Sequence, residues 1–275
     1  MTFGEIIVWA ETLLKEHGVP ESRLDALYLL EDITGVTRSQ YMFCQEDTVP
    51  KKFISEFSTA VMQRSQRVPV QYITGKTEFM GLPFLVNENV LIPRQDTECL
   101  LEELLPLANG KQILDLCTGS GCIAISLAVL AEDTVVTAGD ISPGALEVAR
   151  ENAVKNQASI QFVQGDLFEN ISGKFDLIVS NPPYIESKVL DTLMPEVKEY
   201  EPILALDGKE DGLHFYREII RYAPEYLKPG GMLAFEIGYN QYDSVCKLMQ
   251  KQGFVHVYGK KDLAGLDRMV LGCKS

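Results

Sequence analysis

A chain of 275 residues, 46% hydrophobic and 23% charged, is long enough for a large core and two domains and has the composition of a soluble globular protein. Its 25 Lys and Arg against 39 Asp and Glu leave a formal charge of −14, a surface that repels phosphate backbones and argues against broad nucleic-acid binding; a basic protein or a small molecule suits it better. No apolar run approaches the ~18–20 residues of a membrane span, and Met1–Ala10 carries Glu5 with no basic leader. The cysteines (Cys44, Cys99, Cys117, Cys122, Cys246 and Cys273) show neither CxxC pairing nor a histidine at ligand spacing, so they read as reduced thiols of a cytosolic protein without structural zinc.

Residues 2–17 place Phe3, Ile6, Ile7, Ala10, Leu13 and Leu14 at helical spacing, and Gly18 and Pro20 close that helix. A second helix is predicted over 21–34, ending at Gly35, and a third from about Pro50 to Arg67. This small bundle holds no chemical motif. It is either a folding appendage or, the better fit before a larger core that does not need it, a module for recognising a partner. From Val68 to Pro93 the texture changes: Thr77–Val86 reads as a β-hairpin turning near Gly81, and Asp96 or Thr97 can cap a helix running through Leu107.

Beyond Gln112 strands and helices alternate, with strands predicted at 112–117, 134–140, 160–164, 175–180, 231–237, 254–259 and 267–272 and helices at 121–131, 143–156, 210–226 and 239–251. Such alternation implies an open, doubly wound α/β sheet, with ligands bound at the carboxyl ends of its strands. The short Gly265-Leu266 connection makes the last two strands antiparallel. The first strand runs into Asp115-Leu-Cys117-Thr118-Gly119-Ser120-Gly121, a turn whose glycines let backbone approach a ligand. Asp140 ends the next strand nineteen residues beyond Gly121, the spacing of an acid that accepts from ribose hydroxyls. The loop lacks the G-x-G-x-x-G of dinucleotide sites. It resembles instead the D-x-G-x-G-x-G loop of S-adenosylmethionine-dependent methyltransferases, with Cys117 where glycine is usual. Asp166, after the third strand, can receive an adenine amino group; Phe168 lies on the adenine face or is a core residue.

Phe175–Ser180 is a buried-strand run that stops at Asn181-Pro182-Pro183-Tyr184, where proline cannot continue a ladder. The stiff turn presents the Asn181 side-chain carbonyl and the Pro182 backbone carbonyl as acceptors for a planar NH2 group, and Tyr184 as a surface on which that group stacks. Of the remaining candidates, His17, His214 and His256 read as structural. Glu236 ends a strand and faces the site, and Arg94 either positions a carboxylate or forms a salt bridge.

These segments, with Arg67–Gly75, Glu78–Leu82, Val90–Arg94, Glu201–Leu206, Asp211–Leu213, Glu236–Gly238 and Asp262–Arg268, resemble the HemK/PrmC-type release-factor glutamine methyltransferases over nearly the whole chain. The usual Pro-Arg-Pro-Glu-Thr-Glu of that family is here Pro93-Arg94-Gln95-Asp96-Thr97-Glu98. The resemblance implies a helical substrate-recognition domain at 1–72, a β-hairpin linker at 73–95 and a seven-stranded, Rossmann-like class I methyltransferase domain at 96–275. It implies methyl transfer from S-adenosyl-L-methionine to the amide nitrogen of the glutamine in the Gly-Gly-Gln loop of a peptide chain release factor. Asn181, Pro182 and Tyr184 would be catalytic, Pro183 would join them in holding substrate, and Cys117, Thr118, Gly119, Ser120, Gly121, Asp140, Asp166, Phe168 and Asn181 would hold the cofactor. A cytoplasmic monomer with no metal, no membrane and no direct nucleic-acid contact is expected. Two competing readings are an enzyme methylating a base amine, which shares the Asn-Pro-Pro-Tyr tetrad, and a non-catalytic binding module on the same fold.

Overall fold

The computed structural model describes all residues, Met1–Ser275, and the chain divides into two units, Met1–Gly75 with Met194–Tyr200, and Lys76–Leu193 with Glu201–Ser275. No helix is long and apolar enough to cross a membrane.

The first unit begins with helix α1 (Phe3–Glu16), whose Thr2 and Glu5 form a reciprocal capping box and whose Phe3, Ile6, Ile7, Ala10 and Leu14 are buried. Helix α2 (Ser22–Thr34) stops at Gly35, which takes the left-handed conformation at φ 75°. Short helices escape the sequence reading here, among them α3 (Arg38–Cys44), with its own capping box from Thr37 and Gln40, and α5 (Val70–Thr74), after α4 (Lys51–Ser65). The bundle closes around Phe57, Leu29, Leu30, Ile6 and Leu14, all fully buried.

In the second unit β1 (Lys76–Phe79) and β2 (Leu82–Leu85) form the expected hairpin, and Phe79 meets Phe84 edge to face at 6.1 Å in the core. Helix α6 (Gln95–Ala108) follows, and then the sheet: β3 (Gln112–Leu116), α7 (Cys122–Leu130), β4 (Val135–Asp140), α8 (Pro143–Lys155), β5 (Ile160–Gln164) and β6 (Phe175–Ser180). The chain then passes through α9 (Pro195–Tyr200), which is counted with the first unit, before α10 (His214–Tyr226), β7 (Leu227–Glu236), α11 (Tyr242–Lys251), β8 (Phe254–Lys261) and β9 (Asp267–Lys274). The seven strands lie in the order β5-β4-β3-β6-β7-β9-β8, parallel except for β9, which runs antiparallel to both β7 and β8 as the short connection requires. Alternate residues serve opposite faces: Leu177, Val179 and Ala234 enter one core, and Ile178, Leu233 and Phe235 the other. Burial on both sides is why these strands read as unbroken apolar runs.

One boundary differs from expectation. β7 starts at Leu227, and its register against β6 shifts between Phe175 and Leu177. Lys228-Pro229-Gly230-Gly231 thus forms an irregular lead-in, accommodated as a bulge.

The ion network of the first unit explains how α9 is held. Arg64, with 6% of its side chain exposed, donates Nε to Asp25 at 2.7 Å and Nη2 to Glu196 of α9 at 2.9 Å, while Arg67 grips the same Glu196 carboxylate through Nε at 2.6 Å. Burial would raise the Glu196 carboxyl, but the bonds from Arg67 and Arg64 outweigh it and hold it below the usual range. Its contribution to stability is therefore complete above the unfolded-state pKa and is lost as pH falls through the lower folded value. Arg64→Met leaves Asp25 unpaired in the interior and should cost about 3–5 kcal/mol, read as a lower urea midpoint; an unchanged midpoint would show the network to be decorative.

Candidate active site

At β3 the strand order reverses, β4 and β5 lying to one side and β6 and β7 to the other, so a crevice opens at the carboxyl ends of the strands. A cavity of about 330 Å³ occupies it, of the size that small-molecule sites use. Its walls come from the loop after β3 (Cys117, Thr118, Gly119 and Ser120), the end of β4 (Asp140 and Ile141), the turn after β5 (Asp166 and Leu167), the end of β6 (Asn181 and Pro183) and the entry to α6 (Arg94 and Thr97).

The glycine loop is bolted from below. Asp115, wholly buried, accepts from the Thr118 hydroxyl at 2.6 Å and the Ala124 N–H at 3.2 Å through one oxygen. Its other oxygen, Oδ1, has no partner at all. Burial raises this carboxyl to about 7 against both bonds. Asp140 holds the loop from the side, accepting from the Gly119 N–H at 2.8 Å and the Ser142 N–H at 2.9 Å, and its carboxylate keeps acceptor capacity for a ligand hydroxyl. Gly119 sits at φ 54° with open space where a Cβ would stand, so backbone can lie directly against a ligand. Gly121 has a different task. A Cβ there would come within 2.9 Å of Ile125 Cδ1 and 3.2 Å of Ala149 Cβ, so this glycine lets α7 pack on α8 and does not line the cavity. Asn152 of α8 was not legible as a site residue: its amide donates to the Ser120 carbonyl at 2.9 Å and exchanges bonds with Leu85 of the hairpin at 2.6 and 3.0 Å.

Cys117 occupies the left-handed region at φ 60°, where a side chain costs about 1–2 kcal/mol relative to glycine. Burial, and then the charge of Asp140, push its thiol well above the usual range, so it stays protonated and is no nucleophile. Cys117→Gly should therefore bind cofactor at least as well as the parent, whereas Cys117→Val, β-branched at positive φ, should lose both stability and affinity. Calorimetric titration with cofactor decides this. A valine variant indistinguishable from the parent would show that the side chain points clear of the pocket.

Phe168 takes the second of its two readings. It is buried in the core on the far face of the sheet, stacked on Tyr226 with centroids 4.5 Å apart, and Leu167, at φ 50°, borders the cavity in its place. The tight turn at Leu167 carries the following ring away from the crevice.

The Asn181–Tyr184 turn emerges beside this loop because β6 pairs directly with β3, Ser180 opposite Leu116, and the Ser180 hydroxyl donates to the Leu116 carbonyl at 2.7 Å. Asn181 and Pro183 border the cavity; Pro182 is buried and Tyr184 half-buried, neither of them bordering it, and the Tyr184 hydroxyl is 3.4 Å from Glu236 Oε1. Gln241 locks the turn. Its Nε2 donates to the Tyr184 carbonyl at 3.0 Å and the Gly212 carbonyl at 3.2 Å, while its Oε1 accepts from the Gly238 N–H at 2.9 Å. Arg94 resolves as a salt bridge, at 2.5 and 2.6 Å from the two oxygens of buried Glu201, while still bordering the cavity. Glu236 accepts from Thr97 Oγ1 at 2.6 Å, and burial lifts its carboxyl to about 7.

Comparison with known proteins follows these two halves of the chain. Residues 5–75 match the model of the PrmC N-terminal domain and residues 95–198 that of the Methyltransferase small domain. A release factor glutamine methyltransferase of Geobacter sulfurreducens is 41% identical over 273 residues, 98% of this chain and 96% of the relative. One from Clostridium acetobutylicum is 39% identical, covering 100% of this chain and 99% of its own length. A methyltransferase crystal structure from Pyrococcus furiosus superimposes with a TM-score of 0.56 over 80% of this chain and 99% of that one, at 19% identity, a likeness of fold.

Proposed function

Because the chain belongs to the release factor glutamine methyltransferase family, we propose that it methylates the side-chain amide nitrogen (N5) of the glutamine in the Gly-Gly-Gln loop of a peptide chain release factor, with S-adenosyl-L-methionine as cofactor. The observation that carries this reading is that one cavity is bordered both by the glycine loop with Asp140 and Asp166 and by Asn181 and Pro183. The residues fit the cofactor: an open glycine backbone at Gly119 and acceptor capacity on Asp140 for ribose hydroxyls. When bound, the cofactor supplies a methyl group already activated on a sulfonium.

What remains for the protein is the poor nucleophile, an amide nitrogen whose lone pair is delocalised into its carbonyl. Asn181 and the Pro182 carbonyl accept the two N–H bonds, and Tyr184 covers the amide plane. The nitrogen is thereby aimed at the methyl group and its lone pair is drawn out of conjugation; orientation and electrostatics then do the catalysis. We propose further that the helical unit takes part in holding the release factor and that the enzyme works as a cytoplasmic monomer without touching nucleic acid. The test is methyl transfer from labelled cofactor to a purified release factor and to its Gly-Gly-Gln→Gly-Gly-Ala variant. Label on the parent alone establishes reaction and acceptor; label on neither, with cofactor bound, refutes the substrate.

A further inference from the structure

Behind the Asn-Pro-Pro-Tyr turn lies a carboxylate that the mechanism above does not use. Glu236 is the last residue of β7, the strand next to β6, so its side chain emerges at the same sheet edge as Asn181 and Tyr184. It is 2% exposed, and its two oxygens are met by hydroxyls: Thr97 Oγ1 at 2.6 Å on Oε2 and the Tyr184 hydroxyl at 3.4 Å on Oε1. The nearby cation, Arg268, is engaged by Asp262 at 3.0 Å and Asp96 at 3.2 Å. The Glu236 carbonyl is fixed in turn by the Tyr216 hydroxyl at 3.0 Å. A buried carboxylate without a paired cation is costly where a neutral or apolar residue would fill the space. Its two donors point to what it does there. Thr97 is part of the cavity wall, and Tyr184 is the ring assigned to the amide plane.

We propose that Glu236 is a positioning residue for methyl transfer: as a carboxylate it takes both hydroxyls as donors, fixing the Tyr184 ring and the Thr97 wall on either side of the reacting amide. The inference rests on the function proposed above. It carries a dependence on pH. Burial raises Glu236 to about 7, the Thr97 bond and Arg268 lowering it and Asp96 raising it. The groups that face it are Asp96 and Thr97 from α6, Arg268 from β9, Tyr184 beyond β6, Tyr216 from α10 and Cys122 from α7. The neutral acid must turn one of its two bonds around, so the arrangement loosens as pH falls through that value. Turnover falls with it.

Glutamine is the isostere of the protonated acid. Glu236→Gln should therefore behave at every pH as the parent does at low pH: kcat reduced about 10- to 100-fold, cofactor affinity within about twofold, and no acid limb near neutrality in the kcat profile. Thr97→Val, which keeps the carboxylate and removes one donor, should also lower kcat, and Thr97→Ser should restore it; this pair stands in should Glu236→Gln fail to fold. A Glu236→Gln enzyme with parental kcat and an unchanged acid limb overturns the proposal, as does a Thr97→Val enzyme as fast as Thr97→Ser. The parent is assayed first on a release factor. A parent that binds cofactor and transfers no label refutes the function, and the role with it, whereas an active parent matched by its variants refutes the role alone.

Discussion

Asn181→Ala should lower kcat for release-factor methylation by about 100-fold or more, the scale of removing one preorganised hydrogen-bond partner from a reacting group, while cofactor affinity changes little. The size of the effect follows from the chemistry of the nucleophile. Binding energy elsewhere on the release factor brings the glutamine to the cavity but does not free its lone pair. Only acceptors aimed at both amide protons do that, and in the proposed mechanism Asn181 supplies the side-chain one. Its position is set by the sheet: β6 is buried, Ser180 is pinned to Leu116 across the neighbouring strand, and Asn181 follows at once. The turn is therefore rigid before substrate arrives. The cavity wall proposed to hold the cofactor, by contrast, is distributed over the loop after β3, Asp140 and the turn after β5, so loss of one amide leaves it standing. Asn181→Asp, which retains an acceptor of the same shape, should keep more turnover than the alanine variant. Steady-state kinetics beside cofactor titration separates the two quantities; near-parental kcat in Asn181→Ala would remove Asn181 from the mechanism.

How much of this was legible from the residues depends on range. The sheet was legible because strands buried on both faces are continuous apolar runs and their ends carry glycine, aspartate or proline. Helices α3, α5 and α9 were not, since seven, five and six residues give too few turns for a period to declare itself. The Thr37–Gln40 capping box was the signal available for α3. In the candidate site, residues that reach the cavity through backbone or strand-end position were readable from local pattern: Gly119, Asp140, Asp166 and Asn181 all border it. Those that act by holding another segment were not. Gln241 reaches a carbonyl 57 residues away, and Asn152 an N–H 67 residues away. Neither spacing leaves any trace in the local sequence. Phe168 and Gly121 mark the opposite case, in which the pattern was right and the geometry one residue off: the chain turns at Leu167, and the glycine after Ser120 serves helix packing.

Gly212→Ala should be a strongly damaging small substitution outside the reacting groups. Two costs add at this position. Gly212 has φ 70°, where alanine pays about 1–2 kcal/mol for the left-handed conformation alone. An added Cβ would also stand 2.4 Å from the Tyr184 carbonyl oxygen and 2.7 Å from Gln241 Nε2. The first contact is backbone and cannot swing aside. Relief requires moving Tyr184 or breaking the Gln241 bond that holds it, and either releases the turn on which the acceptors depend. A control separates strain from clash: Gly110 has nearly the same φ, 68°, with nothing within 4 Å of its added Cβ. Gly110→Ala should lose only the conformational term and keep its turnover. Gly212→Ala should lose clearly more stability in denaturant unfolding and, in the fraction that remains folded, methylate slowly, because a displacement of the order of an ångström at a reacting group costs about 100-fold. Equal stability losses in the two variants, with turnover intact in both, would mean that Tyr184 is not held where the chemistry needs it by the Gly212–Gln241 contact.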